Sequence, residues 1–275
     1  MTITTRIEKS IQFVAEGITR ALHNPALFMY PLIFLSVPAI IVIAGSFDIP
    51  PLHDPIYTYT LLASLKTDPS ALITITLITI FYILLIFMAA SIAIHTFAIL
   101  NHKSITISKT LRKLLAHAKH LAWWGVITTV LIHAGLAALY MLHAYLHSSW
   151  SSNVLRAAHF AADLGWVFTT FFMLHIDSLE NRSLLVSFRQ SFHLTFKLIP
   201  HVIALKMGYA LTLYVVLRIG LLNGMALLDH IIILQDPYRT LFIGVIASML
   251  ILFLFTIYVV LTTSLYKLHI KEIVK

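Results

Sequence analysis

Six times in 275 residues the chain runs for about twenty positions with scarcely a charge. A helix rises ~1.5 Å per residue, so ~20 residues cross the ~30 Å of hydrocarbon in a bilayer. The runs cover 27–46, 71–100, 121–147, 156–176, 198–222 and 241–266. Lipid offers no partners to backbone N–H and C=O groups, so a spanning segment must satisfy them within itself. The expected fold is therefore all-α: a polytopic bundle of six transmembrane helices. The run 71–100 is long enough to require tilt or an extension past the core. The run 156–176 is the least apolar, because Arg156, His159 and Asp163 all fall in its first half.

Composition excludes the soluble alternative. Apolar residues make up 59% of the chain and charged residues 11%, against roughly 45–50% and 25% in soluble domains. No polar linker divides the sequence, so a single membrane domain over 1–275 is expected, with no soluble catalytic module. The chain has no cysteine, which removes disulfides, thiolate metal sites, thiol nucleophiles and covalent haem attachment. A net charge of +8 suggests nucleic acid in a soluble protein. Here the basic residues flank the spans, and anionic lipid headgroups are the simpler partner.

Orientation follows from Lys and Arg counts between spans. From the N-terminal segment to the C-terminal tail they run 3, 1, 5, 1, 3, 1, 3. By the positive-inside rule both termini and the loops 101–120 and 177–197 face the cytoplasm. The first 22 residues hold five charges and no apolar core of a secretory signal, so the first span is expected to be retained. These features fit a plasma (bacterial inner) membrane.

Each cytoplasmic segment carries an amphipathic pattern ahead of a span. In 3–22, Ile3, Ile7, Ile11, Val14, Ile18 and Leu22 recur at helical spacing opposite Lys9, Glu16 and Arg20. In 107–122, Ile107, Leu111, Leu114, Leu115 and Ala118 form a stripe, with Lys109, Arg112, Lys113 and Lys119 across from it. In 182–197, Leu185, Phe188, Phe192 and Phe196 are flanked by Arg189, His193 and Lys197. Such helices lie in the interface with their basic residues towards headgroups. Two stretches carry a resemblance: Ser183-Leu-Leu-Val-Ser-Phe-Arg-Gln-Ser-Phe-His-Leu-Thr-Phe-Lys197 before span five, and Asn24-Pro25-Ala-Leu-Phe-Met-Tyr30-Pro31 at the start of span one. Their layout resembles a group of bacterial six-span membrane proteins, and is similar to the membrane domain ahead of some glycerophosphodiester phosphodiesterases. The resemblance implies a fold type. It carries over no catalytic residue, because no phosphodiesterase domain is present.

Ionisable groups within spans are the first functional candidates, since each costs ~2.5–3.5 kcal/mol at the centre of a helix. They are Asp163 in span four, with Lys206 and Arg218 in span five. Lys206 lies about 12 Å from the inner end and snorkels in part. Asp163 and Arg218 occupy the outer halves of consecutive spans, where they form either a structural ion pair or part of a transport path. Fifteen histidines are the other unusual feature. His143 with His147, and His159 with Asp163, are i, i+4 pairs, each on one helical face. Together they offer three imidazoles and a carboxylate, a set suited to zinc or a similar divalent cation, and a histidine pair also suits haem. The competing reading is histidines bonded to a neighbouring carbonyl or sitting at the interface, and His95, His133, His175 and His201 read as packing or interfacial residues. Pro31 and Pro38 predict a kink in span one, and Gly220 with Gly224 a close helix approach. Trp123, Trp124 and Tyr266 read as interfacial anchors.

No nucleophile elbow, P-loop or dinucleotide fingerprint occurs. The expected function is non-enzymatic: a membrane scaffold that organises lipid or partner proteins, including further copies of itself. A small-solute or ion transporter with its polar site between spans three to five is the first alternative. A metal- or haem-binding membrane protein is the second.

Overall fold

The computed structural model describes residues 22–45, 69–146, 171–180, 182–216 and 238–273, together with a few positions at 15–19 and 63–64. Among the described residues there are seven helices and no strand. They are α1 (Ala26–Gly45), α2 (Pro69–Leu100), α3 (Ile107–Leu146), α4 (Met173–Glu180), α5 (Leu184–Lys197), α6 (Ile199–Tyr214) and α7 (Tyr238–Ile273). The all-helical class expected from the sequence is what the described residues adopt.

Two helical stretches, Ala71–Leu100 and Met249–His269, are long and apolar enough to cross a membrane. A third qualifies if Leu184–Lys197 and Ile199–Thr212, bent by 88° at Leu198, count as one span. The described helices thus support two or three crossings on length and composition, and the predicted six is corrected to that extent. Predicted span one begins where α1 begins, but its described apolar stretch is Ala26–Leu35, only about 15 Å long at ~1.5 Å per residue. Predicted span four lies outside the described residues except for its last positions, as does the Gly220/Gly224 pair.

Two of the three amphipathic segments resolve differently from one another. The basic segment 107–122 is not a separate interfacial helix: α3 runs unbroken for 40 residues into the predicted third span. Nothing between Ile107 and Trp124 stops it, as the stretch lacks proline and glycine and is rich in Leu, Lys, Ala and Arg. The segment 182–197 does form its own helix. Pro200 sits in the first turn of α6, where a missing N–H costs nothing, and it denies α5 the donor needed to continue. α1, by contrast, runs through Pro31 and Pro38 as one helix.

The chain gathers into two compact units. The first comprises Met1–Pro31, His95–Ile107 and Lys197–Lys275. Its core includes Leu27, Tyr30, Leu100, Val202, Val259, Val260, Leu265 and Tyr266. A buried hydrogen bond of 2.7 Å joins Tyr30 Oη and His95 Nδ1, and Phe28 stacks on Phe253 with centroids 5.1 Å apart. α6 packs along α7 through Tyr209 on Tyr258 (4.6 Å) and His201 near His269 (5.8 Å). Tyr266, predicted as an interfacial anchor, is instead buried here. α2 ends in a Schellman motif: Lys103 N–H bonds to Ala98 O and His102 N–H to Ile99 O. Lys267 Nζ also donates to the carbonyl of Leu100. His102 occupies the position where glycine is usual, at φ 55°.

The second unit comprises Leu32–Ile94 and Ser108–Phe196. The run Met88-Ala-Ala-Ser-Ile-Ala93 is wholly buried, and small residues of this kind let helices approach closely. One close approach is between α2 and α3. A Cβ added at Gly125 would lie 2.6 Å from Ile83 Cγ1 and 3.1 Å from Ile83 Cα. Trp124 is buried in this unit, and Trp123 alone of the two predicted anchors is exposed.

Two substitutions test this packing by thermal unfolding in detergent. Gly125→Ala should cost about 1–3 kcal/mol by overpacking, and Ile83→Ala in the same chain should recover part of that loss. Additive losses would show that Gly125 and Ile83 do not meet. His102→Gly should raise stability by about 0.5–1 kcal/mol, because glycine takes the left-handed conformation without steric cost.

Candidate functional site: a buried carboxylate between two basic helices

The second unit holds a polar arrangement assembled from α3, α4 and α5. α4 is a short helix whose Met173, His175, Ile176, Asp177 and Ser178 are all buried. Asp177 is 2% exposed, a burial that an aspartate tolerates only with charged or hydrogen-bonding company. Its Oδ1 lies 3.5 Å from His120 Nδ1 on α3. At that length the contact is chiefly coulombic, and Oδ1 makes no hydrogen bond. Burial pushes the Asp177 carboxyl above the usual carboxylate range; His120, and then His117 one turn earlier, pull it partly back. The His120 imidazole is 45% exposed, so protons reach the pair from water although the carboxylate is enclosed.

α5 is fastened to the start of the same short helix. The Phe172 N–H donates to Ser191 Oγ at 3.1 Å, satisfying one of the donors that a helix start leaves open. The link between α4 and α5 carries a Glu180–Arg182 contact of 3.6 Å. α4 thus touches both basic helices, α3 through Asp177 and α5 through Phe172.

α5 buries the opposite of what a soluble helix buries. Its enclosed positions are Ser187, Ser191, Leu194 and Thr195. Three of its large apolar side chains face outward: Leu185 is 79% exposed, Phe196 54% and Phe192 44%. At ~100° per residue these three lie within about 40° around the axis, and Arg189, His193 and Lys197 form a neighbouring stripe centred about 80° away. All three basic residues are exposed. On α3, Lys109, Arg112, Lys113 and Lys119 are likewise exposed, and so are Leu115 and Trp123.

The other predicted site residues are dispersed. Lys206 is half-buried on α6 in the first unit. His143 lies in the last turns of α3, where its side chain is outside the described residues. His147, His159, Asp163 and Arg218 are also outside them, so the outer histidine cluster and the Asp163–Arg218 pair have no described geometry. Among the described residues, no group of three or more His, Asp or Glu side chains converges to hold a metal ion. His95 and His175 are buried, in keeping with packing roles.

Asp177 was not among the sequence candidates, because it falls just past predicted span four in a segment assigned to solvent. One signal was available. The segment Leu174-His-Ile-Asp-Ser-Leu179 places a lone carboxylate among apolar residues in a chain with only 11 acidic ones.

The chain was compared with protein-family models, with curated proteins and with solved structures, and it matches none of them.

The raised carboxyl value makes stability depend on pH with a definite sign. The folded state holds the Asp177 proton more tightly than the unfolded chain, so this contribution is present in acid and is lost as pH rises through the raised value. As pH rises above the ordinary carboxylate range, the wild-type melting temperature should fall relative to Asp177→Asn, in which the proton cannot be lost. Parallel pH profiles for the two proteins would show that Asp177 titrates normally.

Proposed function

We propose that this protein is a non-enzymatic, multi-pass membrane protein whose cytoplasmic basic helices bind anionic lipid headgroups and organise lipid or partner proteins around them. The observation that carries this reading is the reversed burial of α5, with Leu185, Phe192 and Phe196 outward beside Arg189, His193 and Lys197. Exposed phenylalanines next to a cationic stripe are costly in water and favourable at a bilayer surface, where acyl chains take the rings and headgroup phosphates take the charges. Each Lys or Arg near an anionic leaflet contributes about 1 kcal/mol. Lys109, Arg112, Lys113 and Lys119 on the first turns of α3 extend the same cationic surface.

The six-span arrangement, the cytoplasmic position of both termini and residence in a plasma membrane belong to the same proposal, resting on the alternation of Lys and Arg counts. A second copy of the chain or another membrane protein would dock on lipid-facing helices held at this surface.

Native mass spectrometry of the full chain, extracted into mild detergent with equal phosphatidylglycerol and phosphatidylethanolamine, tests the reading. Wild type should retain phosphatidylglycerol preferentially. Arg189→Gln with Lys197→Gln should weaken that retention about tenfold or more, at roughly fivefold per charge. Quadruple substitution of Lys109, Arg112, Lys113 and Lys119 by Gln should weaken it further, and raised salt should mimic both. Equal retention of the two lipids by wild type would sink the proposal.

A further inference from the structure

The buried carboxylate has a consequence for the lipid surface on either side of it, and it rests on the headgroup reading above. We propose that Asp177 and His120 form a proton-operated latch that holds α3 and α5 in one arrangement at acidic to neutral pH and loosens it as pH rises, making anionic-lipid binding pH-dependent. Three geometric observations carry this. Asp177 is enclosed and its Oδ1 faces His120 Nδ1 at 3.5 Å. The His120 imidazole is open to water. The same short helix is tied to α5 through the Phe172 N–H and Ser191 Oγ.

With one proton in the site, either His120 is an imidazolium against a carboxylate or the carboxyl is neutral, and both states tolerate enclosure. Imidazoles lose their charge between pH 5 and 8. Once the proton leaves, the site holds an enclosed carboxylate facing a neutral ring, and the cheapest relief is for α4 to move so that water reaches Asp177. That motion loosens the contact between α4 and α3 and carries along Phe172, the attachment point of α5.

The neighbouring groups leave this pair in control. From α3, His117 also faces Asp177 and acts in the same direction. On α4 itself are buried His175 and, at its end, Glu180, which is paired with Arg182. The buried face of α5 presents Ser187, Ser191 and Thr195, which do not titrate in this range.

Because the chain has no cysteine, labels can be placed without background. Exposed Ala116 on α3 and Ser183 ahead of α5, each replaced by Cys and spin-labelled in the full chain, report the arrangement in nanodiscs containing phosphatidylglycerol. The expected result is a narrow distance distribution at pH 5.5 that broadens or shifts by pH 8.5. His120→Gln and Asp177→Asn should each abolish the change. His102→Gly, which removes an exposed imidazole in the first unit, should keep it. Phosphatidylglycerol retention by wild type should fall about fivefold over the same interval and stay flat in both latch variants. An unchanged wild-type distribution, or a transition that persists in His120→Gln, overturns the latch. Flat wild-type retention with the lipid preference intact overturns its link to lipid and leaves the headgroup reading standing. Loss of lipid preference at every pH overturns the headgroup reading, and the link to lipid with it.

Discussion

In a hydrocarbon environment each backbone and hydroxyl group needs a partner supplied by the protein, and that requirement organises everything else in this chain. Several hydroxyls on the long apolar helices meet it internally. Thr76 bonds back to Leu72 O, Thr79 to Ile75 O, Ser91 to Phe87 O, Thr129 to Gly125 O and Thr256 to Leu252 O, each four residues earlier in its own helix. A hydroxyl satisfied in this way places no demand on a neighbouring helix. The helices are then free to pack by shape, as the Gly125 and Ile83 contact shows within the second unit.

Among the described residues, several polar groups do reach across to another element, and each marks a junction. Tyr30 and His95 join α1 to the end of α2, and Lys267 reaches from α7 to the last carbonyl of α2. In the second unit, Phe172 and Ser191 join the start of α4 to α5, while Asp177 and His120 join α4 to α3. The Lys267 and Phe172 junctions end on a carbonyl and a hydroxyl oxygen, whereas the Tyr30–His95 and Asp177–His120 junctions each include an imidazole. Of these four, the Asp177 junction sets an imidazole against an enclosed carboxylate, so its strength depends on where a proton sits.

Much of the architecture was legible in one dimension. The all-helical class, the position of α2 and the helical face carrying Leu185, Phe192 and Phe196 beside Arg189 and Lys197 follow from hydropathy and a 3.6-residue period. The break at Pro200 is local chemistry of the same kind. Less legible were the fates of residues whose type fits two environments. Trp124 and Tyr266 have the amphipathic rings of interfacial anchors, yet neighbouring helices enclose them. The 107–122 segment has the pattern of an interfacial helix, yet nothing in its sequence ends the helix, and it continues as part of α3. Asp177 looked solvated because its enclosing partners, His120 and His117, lie nearly sixty positions earlier in the chain.

By itself the sequence determined that the backbone would be helical, which stretches avoid water and where positive charge accumulates. Those properties depend on the transfer of single residues and on hydrogen bonds within four positions. Only the tertiary structure decided which faces of those helices are covered: that α5 buries Ser187 and Ser191 and exposes Phe192 and Phe196, that Gly125 meets Ile83, and that a carboxylate is enclosed beside His120 of α3. Enclosure is a property of neighbours distant in the chain, and a charge acquires its altered protonation only once those neighbours have taken its water away.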